Sequence, residues 1–166
     1  MVKELVQLLQ QKQMTIAAYE SITGGLFSHY ITNVPNASQV FLGSIVTYTN
    51  EIKIKVGHVS QSIITKYGVV SKETAEAMAF ACQKQFNSDL AVSFTGNAGP
   101  GQLDNLPIGT GFATILFQNE ATTFALTFNP NWSREQIKVA TVTTIIKHLQ
   151  QILEKEQGIN SKKGEK

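Results

Sequence analysis

Charge is scarce in this chain. Only 16% of its 166 residues are Asp, Glu, Lys or Arg, against about 25% in an ordinary soluble domain. So little surface charge suggests a surface partly covered by another subunit, and a homo-oligomer is expected. The formal net charge is +2. Lys155, Lys162, Lys163 and Lys166 cluster near the end of the chain. The body is therefore close to neutral, which argues against a nucleic-acid surface. Cys82 stands alone, so no internal disulfide can form and a reducing compartment fits. Its Ala-rich helical setting marks it as a packing residue. No stretch approaches the roughly 18 apolar residues of a membrane span, and Met1 to Gln13 lacks a signal-peptide core. A cytoplasmic protein with no membrane contact is expected. The three histidines (His29, His58, His148) are far apart, and no metal-ligand spacing, Walker loop or GxGxxG pattern is present. Neither a metal nor a cofactor is expected.

What the chain does have is regular alternation of elements. Val2 to Gln13 carries apolar residues at helical spacing. Thr15 to Tyr19 reads as a buried strand. Leu26 to Asn33 reads as a helix that Pro35 ends. Gly43 to Tyr48 is β-branched and aromatic, hence a strand. Short helices follow at Thr49 to Lys55 and Ser60 to Tyr67, then a longer one from Ser71 to about Gln85. Asp89 to Phe94, Ile108 to Phe117 and Ala121 to Phe128 read as strands, the last two as a hairpin. Ser133 caps a long helix from Arg134 to Leu153. The order predicts an α/β fold: a three-layer α/β/α sandwich around a mixed, mostly parallel sheet with an antiparallel hairpin. One domain is expected over 1–157, with a polar, disordered tail over 158–166.

Two glycine-rich stretches interrupt this pattern. Glu20-Ser21-Ile22-Thr23-Gly24-Gly25 joins a strand to a helix, and Thr95-Gly96-Asn97-Ala98-Gly99-Pro100-Gly101 follows another strand. Either is an ordinary tight turn on its own. Both also sit at carboxyl ends of strands, where open α/β sheets bind ligands. Glu20 is expected to be a buried carboxylate bonded to loop N–H groups. Gly24 and Gly25, at a helix start, are candidates for cradling a phosphate. Lys53 lies one turn into the short helix after Tyr48. A lysine there is by default solvated, and Lys55 is its natural control. Ser38 by default belongs to a turn.

Five segments occur in order: Glu20 to Gly25, Val46 to Lys53, Tyr67 to Ser71, Ser93 to Pro100 and Pro107 to Thr110. Together they resemble the CinA C-terminal domain family, the stand-alone PncC-type nicotinamide mononucleotide deamidases. The resemblance runs from about Leu5 to Leu153. It implies hydrolysis of the carboxamide of a pyridine nucleotide, giving nicotinate mononucleotide and ammonia, by a serine–lysine mechanism without a metal. It implies Ser38 as nucleophile, Lys53 as base and Tyr48 beside it. It also implies roles for Ser21, Thr95 and Arg134; beside them Thr23 and Gly96 are candidate substrate or oxyanion contacts, and Gly24 and Gly25, with Arg134 as partner, the candidate phosphate site. Two positions depart from the family pattern: Ile22 stands where the family has cysteine, and Leu106 where it has lysine.

The chemistry is consistent with such roles. An amide is a poor electrophile, so serine needs a base. Lysine serves as one only when neutral, which burial promotes. Serine–lysine pairs are a convergent variant of the serine triad. The alternative is a non-catalytic nucleotide-binding or partner-binding module that keeps the same pocket.

Overall fold

The computed structural model describes residues 1–161, with side-chain surroundings described through 155. Five strands form one sheet in the order β2-β1-β3-β4-β5. They are β1 (Ile16–Glu20), β2 (Phe41–Val46), β3 (Leu90–Gly96), β4 (Thr110–Phe117) and β5 (Glu120–Thr127). β1 pairs in parallel with β2 and β3, while β4 pairs antiparallel with β3 and β5. Only β4 therefore runs against the other four, as expected of a mostly parallel sheet closed by a hairpin.

Alternation along the strands assigns the two faces. Ile16 and Ala18 of β1, with Leu90, Val92 and Phe94 of β3, belong to one apolar cluster. It is completed by α1 (Val2–Lys12), α2 (Leu26–Thr32) and α6 (Arg134–Ser161). Ala17, Tyr19 and Ala91 point the other way, toward Met78, Ala79 and Cys82 of α5 (Lys72–Phe86). Two short helices, α3 (Asn50–Lys55) and α4 (Gln61–Tyr67), bridge β2 to α5. The result is the expected three-layer sandwich. All five residues of β1 are buried, because its neighbours cover both edges and helices cover both faces. Burying one side chain such as Ile16 stabilises the fold by roughly 1.5–3 kcal/mol.

Two boundaries differ from expectation. β2 begins at Phe41 and ends at Val46, not at Gly43 and Tyr48. Phe41 pairs with Ile16 and Gly43 with Ala17, so Leu42 bulges out of register. Beyond Val46 the chain turns away into the cap of α3, where the Thr49 hydroxyl accepts from the Ile52 N–H. The long helix also continues past Leu153 to Ser161. Backbone 158–161, expected to be disordered, is thus helical, and the rest of the expected tail, 162–166, lies outside the described residues. Among the described residues, no helix is long and apolar enough to cross a membrane.

Candidate functional site

The carboxyl ends of β1, β2 and β3 meet at one edge of the sheet. Ser21 N–H donates to Phe94 O at 3.0 Å, and Thr47 N–H donates to Glu20 O at 3.1 Å. The first glycine turn and the segment after β2 are thereby bound side by side, next to the end of β3.

Glu20 is fully buried, with its carboxylate at the start of α2. It accepts from the N–H groups of Gly25 (3.0 Å), Phe27 (3.1 Å) and Ser28 (2.9 Å), and from the Ser28 hydroxyl (2.5 Å). These donors would otherwise be left unpaired at a helix start, so an internal anion caps the helix. The Gly24 N–H is also engaged, by Ser21 O at 3.1 Å. The phosphate cradle expected from Gly24 and Gly25 N–H groups is therefore not available, because this protein fills it with its own carboxylate. The glycines serve the backbone instead: φ is +60° at Gly24 and +96° at Gly25, a region other residues adopt at a cost.

The turn leaves other groups open. Among the described residues, the Ser21 hydroxyl and the N–H groups of Ile22 and Thr23 make no hydrogen bond. Thr23 is fully buried, and its hydroxyl has no partner either. Such orphans are rare in folded proteins and call for an explanation.

Lys53 departs furthest from ordinary lysine behaviour. Its side chain is 0% exposed, and among the described residues it has no acidic partner. Its ammonium donates to Thr47 Oγ1 at 3.5 Å and lies 5.6 Å from the centre of the Tyr19 ring. Thr47 Oγ1 donates to the Tyr19 hydroxyl at 3.0 Å, which in turn donates to the Lys53 carbonyl at 3.4 Å. The loop fixes the base of the lysine and its tip together. Burial lowers the Lys53 pKa from 10.5 to about 8, since a charged ammonium loses its hydration there. Burial likewise pushes the Tyr19 phenol up to about 12, so Tyr19 stays a neutral donor. A Cβ at Gly57 would overlap the Tyr19 hydroxyl, which is why glycine stands at that close approach. Lys55, in the same helix, is exposed.

Tyr48 makes no hydrogen bond to Lys53 in this arrangement. It is 64% exposed, and its hydroxyl accepts from an Arg134 guanidinium nitrogen at 2.6 Å. Arg134 also donates to the Gly99 carbonyl. It thereby ties the start of α6 to the second glycine loop. Thr95 is buried and donates its hydroxyl proton to Val69 O at 2.6 Å. That proton is committed, so Thr95 contributes a wall and not the oxyanion donor its position suggests. Asn97 stiffens the same loop, donating to Gly101 O at 2.8 Å and accepting from the Gly99 N–H at 2.8 Å.

Between the two loops lies a cavity of about 180 Å³. Ser21, Ile22, Thr95 and Gly96 line it, together with Tyr48, Asn50, Arg134, Val69 and Leu103. Thr47, Tyr19 and Asn50 were not singled out from sequence. Thr47 had one local signal, its place directly after a strand beside two hydroxyl-rich turns. Tyr19 and Lys53 are brought together only by the fold.

Ser38 is not at this site. It lies in an exposed 3-10 turn (Ala37–Gln39) before the first residue of β2, where Val40 O accepts from the Ile16 N–H. Lys53 follows the other end of the same strand. At about 3.3 Å per residue, the length of β2 separates them by roughly 17 Å or more. A hydrogen-bonded pair of Ser38 and Lys53 cannot form in this fold. The serine that shares the sheet edge with Lys53 is Ser21.

Fold and site together define an α/β/α sandwich with a pocket at the carboxyl ends of its parallel strands, walled by two glycine turns, and a buried lysine near the same sheet edge. Comparison with known proteins narrows this. A family model for the CinA C-terminal domain matches residues 1–153, and the chain belongs to that family. It is 39% identical to a CinA-like protein of Prochlorococcus marinus over 151 residues, 90% of this chain but 36% of that one. It is 36% identical over 149 residues to a Mycoplasma pneumoniae protein called MG115 homolog, covering 90% of this chain and 94% of that one. The chain spans 30% to 39% of the length of the Geobacillus, Prochlorococcus and Halalkalibacterium relatives it matches. The crystal structure of the competence/damage-inducible protein CihA from Agrobacterium tumefaciens superposes with a TM-score of 0.81 at 28% identity, covering 89% of this chain and 93% of that one. A CinA superfamily protein from Klebsiella pneumoniae reaches 0.86 at 22% identity over 92% of this chain and 98% of that one. The second likeness speaks to the fold alone.

Proposed function

We propose that this protein is an amidohydrolase that converts nicotinamide mononucleotide to nicotinate mononucleotide and ammonia, with Ser21 as nucleophile and Lys53 as its base. The observation that carries the reading is the buried Lys53, without an acidic partner and with its pKa drawn down to about 8, at the same sheet edge as an unbonded serine hydroxyl. A neutral amine in that place can take a proton from a hydroxyl, which lysine in water cannot do at neutral pH.

The steps follow from the groups present. Ser21 Oγ attacks the carboxamide carbon as its proton passes to Lys53 Nζ. The carbonyl π pair moves onto oxygen, and the unpaired N–H groups of Ile22 and Thr23 are the candidate donors to that oxyanion. Collapse breaks the C–N bond, and the Lys53 ammonium returns the proton to the leaving nitrogen, so ammonia departs. Water, deprotonated by Lys53, then attacks the ester carbonyl; the C–O bond to Ser21 breaks, Lys53 returns the proton to Ser21 Oγ, and the acid leaves. Ser21 and Lys53 are not hydrogen-bonded here, which fits a pair that closes only around substrate. Asn50 in the pocket lining suits the amide or ribose hydroxyls, and Arg134, bonded to Tyr48, lines the pocket as well.

Ammonia release from nicotinamide mononucleotide, measured against nicotinamide riboside and free nicotinamide, tests the reading. Release from the nucleotide is the expected outcome. Binding of the nucleotide with no release would reject the hydrolase and leave the binding-module alternative.

A further inference from the structure

The pocket is small, and Ser21 and Ile22 of the first glycine turn line it. Four observations converge there. Lys138, half-buried on α6 one helical turn beyond Arg134, brings its ammonium to 3.5 Å from where a Cβ on Gly24 would stand. Among the described residues this ammonium has no ion pair or hydrogen bond. Gly24 itself is exposed, so the approach over the turn is open. The adjoining Thr23 is fully buried with its hydroxyl unpartnered.

We propose that Lys138, over the Thr23–Gly24 turn, is the phosphate subsite of this pocket and sets its preference for a nucleotide over the corresponding nucleoside. The inference rests on the reading of the pocket given above and adds the residue that reads the phosphate. Ser21 O accepts from Gly24 N–H, so Ser21 and Gly24 are the ends of one tight turn, with Cα atoms less than about 7 Å apart. Lys138 reaches over that turn, so a ligand held at Ser21 by its amide meets this ammonium with its far end, which in a pyridine nucleotide lies beyond both the ring and the ribose. Arg134 is a poorer candidate, because Tyr48 and Gly99 already occupy its guanidinium. The N–H groups at the start of α2 are poorer still, since Glu20 holds them. Among the described residues the Lys138 ammonium over this turn has no ion pair or hydrogen bond, and lysine binds a phosphate as a point charge. Glycine at 24 keeps the turn flat beneath it.

The test uses Lys138→Met, which keeps the aliphatic stem and removes the charge, and Lys138→Arg, which keeps the charge. Inorganic phosphate and nicotinamide mononucleotide are titrated against the labelled protein while the Gly24 and Gly25 amides are followed by NMR, and ammonia release is assayed in parallel. Both ligands are expected to shift those amides in the wild type. In Lys138→Met the shifts vanish, and KM for the nucleotide rises about tenfold, as expected for losing one charge-assisted hydrogen bond. Its kcat changes little, KM for nicotinamide riboside stays constant, and Lys138→Arg restores the wild-type pattern. If Lys138→Met keeps the wild-type shifts and KM, or if neither ligand moves those amides in the wild type, the proposal is overturned. Nucleotide shifts that depend on Lys138 in a protein that releases no ammonia would uphold the phosphate subsite and reject the deamidase reading alone.

Discussion

The two ends of the sheet are both concave and both polar, yet they differ in how their polar groups are used. The amino end carries the roomier groove, about 610 Å³, lined in part by Met14, Phe80, Ser88, Asp89 and Phe117. Several of its polar groups are partnered with one another, and Lys84, Asn87 and Asn119 are exposed to solvent. The Asp89 carboxylate accepts from the Thr15 N–H and hydroxyl at 2.7 and 2.8 Å, Ser88 donates to Leu90 O, and Gln83 donates to Asp89 O. The carboxyl end encloses only about 180 Å³, but among the described residues a serine hydroxyl, a buried threonine hydroxyl and a lysine on α6 are left there without protein partners. Among the same residues the buried Lys53 has no counter-charge. Space does not distinguish the two ends. Unsatisfied chemistry does, and an evolved protein keeps such groups open where something else is to complete them.

The sharpest test of that difference is Ser21→Ala. If the carboxyl end is the reacting end, ammonia release should fall by about 10³-fold or more while the thermal midpoint stays near wild type, since an exposed-side hydroxyl with no partner contributes little to stability. Retained activity would move the chemistry elsewhere.

Lys53→Met comes next. Loss of a general base is expected to lower kcat/KM by about 10² to 10⁴-fold. In the wild type, kcat/KM should rise with pH through about 8, the pKa to which burial brings Lys53, because the neutral amine is the active form. Stability moves in a related way. Above about 8 the folded chain has released this proton, whereas the unfolded chain holds it to about 10.5. Over that window the unfolded state binds more protons, so wild-type stability rises with pH; below about 8 the cost of the buried ammonium is fully present. Lys53→Met lacks the rise and should be more stable at pH 7 by on the order of 3 kcal/mol. Urea denaturation of both proteins at pH 7 and 10 measures it. A less stable, inactive Lys53→Met would mean that the lysine is structural.

Much of this was legible before any coordinates. Alternation and helical spacing located every strand and helix, because one face of each is buried and the pattern follows from that. The glycine turns announced the correct edge of the sheet. Ser38 shows where linear reading failed. It stands near Lys53 in sequence, but one residue precedes β2 and the other follows it, and the two ends of a strand are the two ends of the molecule. Weighing the rule that ligands sit at carboxyl ends against the family resemblance would have favoured Ser21. The Glu20 cap was anticipated in kind, but its consequence was not: a carboxylate that fills a helix start removes that start as a phosphate site. Lys53 and Thr47 each had a local signal, but their meeting with Tyr19, like the position of Lys138, depends on elements distant in sequence.

Glu20→Gln probes the scaffold beneath the reacting end. The amide keeps the shape but loses the charge, and its NH₂ must face a cluster of donors at Gly25, Phe27 and Ser28. A loss of on the order of 3 kcal/mol in urea denaturation is expected. Because the Ser21 turn is hung on this cap, activity should fall as well. If stability falls and activity per folded molecule does not, the turn holds its shape without the carboxylate.

The smallest expected effect completes the comparison. Ser38→Ala removes a hydroxyl that is exposed and has no hydrogen bond within the described chain. The 3-10 turn around it is held by backbone bonds, Gln39 N–H to Asn36 O and Val40 N–H to Ala37 O, and alanine satisfies both equally well. Stability should change by less than about 0.5 kcal/mol, and ammonia release should stay within about twofold of wild type. The same assay that exposes Ser21 thus contains its own control, a serine at the opposite end of the same sheet. Were Ser38→Ala inactive and Ser21→Ala active, the amino end would be the reacting end. The unpaired groups around Lys53 would then need another explanation, because β2 holds Ser38 too far away to use them.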